Sequence, residues 1–98
     1  MPGAGSQRIT ADGVVGTSGT AIRLFGYTMR SNAGGLGQII LYNGTDTTGT
    51  EKWIGNGNVD SSADKVFGQK GKLFPAGLYV DIDANITYVD FDYVQESS

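Results

Sequence analysis

Hydrophobic residues in this sequence come in short runs, and the clearest of them alternate with polar residues at a period of two. In Leu78–Asp83 (LYVDID) and Ile86–Val94 (ITYVDFDYV), one set of positions holds Leu78, Val80, Ile82, Val89 and Phe91. The other set holds Tyr79, Asp81, Asp83, Tyr88, Asp90 and Asp92. Alternation of this kind places the two sets on opposite faces of a strand, one buried and one wet. Only Ala84-Asn85 separates the two runs, so they are expected to pair as an antiparallel hairpin with Val80 facing Val89 and Leu78 facing Phe91.

Upstream, Thr20–Arg30 (TAIRLFGYTMR) reads as a strand with apolar residues on both faces. Strict alternation puts Ile22, Leu24, Gly26 and Thr28 on one side and Arg23, Phe25, Tyr27 and Met29 on the other. Gly26 in mid-strand suggests a bulge or a close approach of backbones. Ser31–Gly35 is a turn, and Leu36–Tyr42 a second strand that ends at Asn43-Gly44. Glu51–Ile54 can fold back on it as a hairpin before the break at Gly55-Asn56-Gly57-Asn58. Ser61–Asp64 could nucleate a single helical turn, and Lys72–Phe74 leads into a turn at Pro75-Ala76-Gly77. Residues 1–7 (MPGAGSQ) are expected to be a flexible N-terminal arm, and residues 8–98 the folded domain. Short strands at spacings of about 8–12 residues predict an all-β fold, an antiparallel β-sandwich of jelly-roll type in one domain. Its expected core is Ile22, Leu24, Ile40, Tyr42, Leu78, Val80, Ile82, Val89 and Phe91, with Ile39 able to exchange faces with Ile40.

Composition narrows the function classes. A chain of 98 residues, 16 of them glycine, has room for one domain with a thin stability margin. It contains neither cysteine nor histidine, which removes disulfides, imidazole bases, Ser-His-Asp and Cys-His arrangements, and zinc sites built on those ligands. The formal net charge is −3, and all seven bases lie in residues 1–72, while residues 73–98 carry five acids and no base. Without a basic cluster, nucleic acid is not an expected partner. No apolar stretch has the length of a membrane span, and MPGAGSQR lacks the pattern of an export signal, so assembly in the cytoplasm of the producing cell is expected.

Few motifs carry chemistry. Gly68-Gln69-Lys70-Gly71-Lys72 fails as a phosphate loop, because Val66 stands where the first glycine belongs and Leu73 where a hydroxyl must hold magnesium. Four aspartates, Asp81, Asp83, Asp90 and Asp92, fall on one face of the expected hairpin. They are open to three readings: a solvated surface, a subunit contact, or a cation site too spread for one ion to collect. Tyr79 and Tyr88 share that face, and tyrosine beside aspartate is also how sugar-binding surfaces are built. Trp53 fits a core position better than a ligand platform. Phe25, Tyr27 and Met29 are the candidates for an outward apolar patch. Candidate partner contacts are therefore Phe25, Tyr27, Met29, Tyr79, Asp81, Tyr88 and Asp90. No catalytic residue, cofactor or metal is assigned, and the chain is expected not to be an enzyme.

Leu41-Tyr42-Asn43-Gly44-Thr45, Gly49-Thr50-Glu51-Lys52, Phe74-Pro75-Ala76-Gly77-Leu78-Tyr79-Val80 and the closing aromatic strand together carry a resemblance. Over roughly residues 20–94 the chain resembles the small β-sandwich virion structural proteins of tailed bacteriophages. The resemblance implies a virion component, above all a capsid decoration (cement) protein bound to the outer surface of the head. Its expected partner is the major capsid protein or another virion protein, with copies of itself as a further partner. The alternative is a small head or tail fibre part, or a host-attachment module that binds carbohydrate.

Overall fold

The computed structural model describes residues 3–96, which form nine strands and no helix. In chain order these are β1 (Gly3–Ile9), β2 (Gly13–Val15), β3 (Ile22–Ser31), β4 (Gly37–Asn43), β5 (Thr50–Gly57), β6 (Ser62–Val66), β7 (Lys72–Phe74), β8 (Leu78–Ile82) and β9 (Ile86–Gln95). One sheet has the order β1-β9-β3-β6, with β7 also on β3, and the other the order β2-β8-β4-β5. Every pairing is antiparallel. β6 and β7 lie against successive stretches of β3 and form one edge interrupted at residues 67–71. Apart from that interruption and the β4–β5 hairpin, each connection carries the chain from one sheet to the other. This is the strand order of a jelly roll, two sheets packed face to face as the sequence predicts.

The expected hairpin between β8 and β9 does not form. β8 pairs with β2 and β4, whereas β9 pairs with β1 and β3 in the opposite sheet. The lengths explain the choice. β9 has ten residues and β8 five, so a hairpin would leave half of β9 unpaired, while the ten residues of β3 match it. Asp83–Asn85 instead turns the chain over the end of the sandwich. The Ile86 amide donates to the Asp83 carbonyl at 3.2 Å and the Asn85 amide to the Asp83 carboxylate at 2.8 Å. Val80 and Val89 are both fully buried, each contributed by a different sheet.

β3 supplies the second correction. Its register against β9 shifts between Leu24 and Gly26, and this one-residue bulge reverses the alternation beyond it. Ile22 and Leu24 point inward, and after the bulge so do Tyr27 and Met29, which are 6% and 1% exposed. Tyr27 and Met29 therefore belong to the core, not to an outward patch. Opposite the bulge the Phe67 amide donates to the Phe25 carbonyl at 2.9 Å. A Cβ on Gly26 would stand 2.7 Å from the Lys65 carbonyl oxygen, so only glycine lets β6 come this close.

Other expectations shift in smaller ways. Ile39 and Leu41 take the inward positions of β4, and Ile40 and Tyr42 face out. Four consecutive apolar residues contain no alternation to phase them, and the register against β8 and β5 decides the matter. Ser61–Asp64, read as able to nucleate a helical turn, instead leads into strand β6 from Ser62, because β3 offers it an unpaired edge. The expected arm is strand β1 from Gly3 onward, paired with β9 from Gly3↔Gln95 to Ile9↔Val89; residues 1 and 2 lie outside the described residues.

The core joins residues of both sheets around Phe74 and Phe91, with Ile22, Leu24, Leu41, Leu78 and Val80 fully buried. Each such side chain contributes roughly 1.5–3 kcal/mol over its exposed state. Gly26→Ala is expected to cost about 1–3 kcal/mol by forcing the β3–β6 contact apart. Thr28→Ala, two residues along the same strand, should cost less than about 1 kcal/mol. Urea unfolding of the two variants checks this, and equal losses would contradict the bulge.

Candidate binding face on the four-stranded sheet

The tripeptide Tyr-Val-Asp occurs twice, as Tyr79-Val80-Asp81 in β8 and Tyr88-Val89-Asp90 in β9. In each case valine points into the core and tyrosine and aspartate point out. Because β8 and β9 lie in different sheets, the two outward pairs sit on opposite outer surfaces of the sandwich. The four aspartates expected on one face are divided accordingly: Asp81 on the β2-β8-β4-β5 sheet, Asp90 and Asp92 on the other, and Asp83 in the turn between them. Among the described residues, no three acidic side chains are grouped so as to hold a metal ion.

The Tyr88–Asp90 pair is already occupied. Arg8, the register partner of Asp90 in β1, donates from Nε to Oδ1 at 2.8 Å and from Nη2 to Oδ2 at 2.9 Å. Its guanidinium lies 4.0 Å from the centre of the Tyr88 ring. The two-pronged ion pair holds the Asp90 carboxyl below the usual carboxylate range. Phe25 is half-buried at the β3 bulge, beside a shallow depression over Gly26 that Thr28, Asp64, Val66 and Asp92 also line. Trp53 closes the β5 side of the core. Its indole N–H donates to the Tyr27 hydroxyl at 2.9 Å, and its ring meets Phe67 edge-on at 5.1 Å. Gly55 leaves the room that the Tyr27 hydroxyl occupies, which a Cβ there would fill.

The Tyr79–Asp81 pair has different neighbours. Register partners share a face, so the outer surface of this sheet can be read off the ladder as two rows. The first runs Val14, Tyr79, Tyr42, Glu51, and the second Asp81, Ile40, Ile54. Asp12 extends the second row: its carboxylate accepts from the Ile82 amide at 2.8 Å and its side chain lies against Asp81. The Tyr42 and Tyr79 rings are 6.3 Å apart and inclined at 55°. Ile54 is 44% exposed. Partial burial, reinforced by the carboxylates around them, raises both phenols: Glu51 and Asp81 act on Tyr42, and Asp12, Asp81 and Asp46 on Tyr79. Asp81 is itself raised, first by loss of solvent and then by Asp12. None of the three ion pairs among the described residues, Arg8–Asp90, Arg23–Glu96 and Arg30–Asp60, lies on this surface.

Of the residues singled out from the sequence, this face therefore brings together Tyr79 and Asp81 and excludes Phe25, Tyr27, Met29, Tyr88 and Asp90. Tyr42, Ile40, Ile54, Val14, Asp12 and Glu51 join it unforeseen. Chemically it offers two aromatic rings for stacking, aliphatic side chains beside them, and carboxylates that are engaged in none of those ion pairs. No family model matches the sequence, and no curated protein matches it.

Asp81 carries a pH signature. Its carboxyl is raised in the folded chain, so ionisation destabilises the fold at neutral pH, and the penalty disappears as pH falls through the raised value. Asp81→Asn is expected to melt above the parent at pH 7. The difference should close as pH falls into the ordinary carboxylate range, as thermal melts across that interval would show.

Proposed function

We propose that this protein is a non-enzymatic virion structural protein, a capsid decoration protein that binds the outer surface of a tailed-phage head. The observation that carries the binding part is the outer face of the β2-β8-β4-β5 sheet. There Val14, Ile40, Tyr42, Ile54 and Tyr79 lie outside a core that is already filled by other side chains. On a small domain, a contiguous apolar and aromatic patch of this kind marks a partner site. A chain with no cysteine gains stability when a partner covers such a patch, and a lattice offers that partner in many copies. Support for the virion setting comes from the resemblance over residues 20–94 and from the jelly-roll order, an architecture widely used in viral coats.

A second reading, a fibre part or a host-attachment module that binds carbohydrate, is favoured by one observation, the Tyr42–Tyr79 ring pair bordered by carboxylates. Copy number separates the two. Quantitative mass spectrometry of purified phage particles encoding this chain is expected to find it in a fixed ratio to the major capsid protein. Its addition to stripped heads is expected to saturate at that ratio and to raise their disassembly temperature. A copy number matching a single vertex or tail, with binding to cells or polysaccharide in place of heads, would assign the protein to host attachment.

A further inference from the structure

We propose that the outer face of the β2-β8-β4-β5 sheet docks a cationic polypeptide segment, with an arginine of the partner forked onto Asp81 and lying over Tyr79. The inference rests on the binding role proposed above for this face, and it names the chemistry of what binds there.

The molecule contains its own template for the contact. Tyr88-Val89-Asp90 and Tyr79-Val80-Asp81 present the same two side chains at the same spacing on a strand flanked by a neighbour on each side. On β9 the neighbouring strand supplies Arg8, which makes two hydrogen bonds to Asp90 and covers the Tyr88 ring. On β8 no neighbour supplies a cation. Asp81 has Ile40 as its register partner in β4 and Asp12 beside it from the β1–β2 turn, and Tyr79 has Val14 and Tyr42. One copy of the motif is thus complete within the chain, and the other lacks its arginine.

Charge selects the occupant. Asp12, Asp46, Glu51 and Asp81 all act on the two tyrosines, and the faces of aromatic rings are themselves electron-rich. Asp83 adds a further acid at the adjoining turn, and the one base on the four strands of this sheet is Lys52, next to Glu51 at the irregularity in the β4–β5 register. Both the carboxylates and the rings attract a cation, and both oppose an anion, which disfavours nucleic acid. A second copy meeting this face about a two-fold axis would bring the same acid-rich surface up against itself, with Lys52 as the one base on its strands. A neutral sugar could stack on the rings but would leave the Asp12–Asp81 repulsion in place. An arginine satisfies the carboxylate in two-pronged fashion and stacks on the ring at the same time.

The test is an NMR titration of the intact protein with a peptide alternating arginine and threonine. Controls are the same peptide with glutamine for arginine, and cellohexaose. The arginine peptide is expected to shift the amides of Ile40, Tyr42, Tyr79 and Asp81, with affinity that falls as salt rises. Two variants are informative. Asp81→Asn removes the carboxylate and should weaken the peptide about tenfold. Ile40→Arg places an internal arginine opposite Asp81, as Arg8 stands opposite Asp90, and should block the peptide while raising the melting temperature. A folded Asp81→Asn protein that binds the peptide with parent affinity overturns the proposal, as does binding of cellohexaose with no response to arginine. Stripped heads assayed with the same variants separate the two proposals. Heads bound equally well by Asp81→Asn leave the decoration role standing and remove this face from it. Arginine-dependent peptide binding without head binding does the reverse.

Discussion

The ladder between β3 and β9 is the contact from which the rest of the sandwich is arranged. It joins the two longest strands, which are distant in sequence, and gives the larger sheet its centre. Once β9 is committed to β3 on one side and β1 on the other, β8 has no place beside it and must pair in the opposite sheet. The turn at Asp83–Asn85 then becomes a crossing, and the side chains of β8 and β9 meet through the core. Such a ladder must close a long loop before it is rewarded, an entropic cost that a local hairpin would avoid. Its length is what outweighs that cost, because it pairs nine residues of β9 where β8 could pair only five.

The bulge in this ladder has consequences well beyond its one extra residue. By reversing the facing of Tyr27 and Met29 it turns the second half of β3 into core and brings the Tyr27 hydroxyl within reach of the Trp53 indole. Trp53 and Phe67 then pack over the same side of the core. On the outside the bulge coincides with the break between β6 and β7. The interrupted edge and the close approach at Gly26 are thus two aspects of one local geometry. A broken and bulged edge of this kind resists indiscriminate strand addition.

The two outer faces differ because of what their edge strands contribute. β1 carries Arg8 to Tyr88 and Asp90, so the electrostatic demand of that motif is met within the chain. β2 brings Val14, and the turn before it Asp12, so the same motif on β8 has an apolar neighbour at Tyr79 and a like charge at Asp81. Burial raises the Asp81 carboxyl and the neighbouring phenols, and Asp12 adds to the effect. A face with that charge pattern costs the domain stability, and a charge of opposite sign beside it would relieve that cost. The chemistry of the surface therefore belongs as much to the topology as to the tyrosines and aspartates themselves.

Alternation in Leu78–Ile82 and Ile86–Val94, glycine-rich breaks and the absence of helix-forming runs determined, from the sequence alone, an all-β sandwich. They also determined that Leu78, Val80, Val89 and Phe91 are core. These are local properties, since a period of two and a turn residue act on the chain wherever it lies. The same alternation told which side of these two strands is buried, and hence that Tyr79, Asp81, Tyr88 and Asp90 face outward. It could not tell which sheet each strand joins, because burial against a core looks the same from either sheet. Gly26 announced a bulge, yet its effect on Tyr27 and Met29 depended on the register against β9 and β6. The run Ile39-Ile40-Leu41-Tyr42 carried no period, so the outward facing of Ile40 and Tyr42 emerged only when β4 was held between β5 and β8. Tyr-Val-Asp was legible twice as a string, but that one copy has its arginine and the other does not was settled by pairing over long sequence separations. Strand partners are chosen by matching whole ladders, and no single stretch of sequence contains both halves of a ladder.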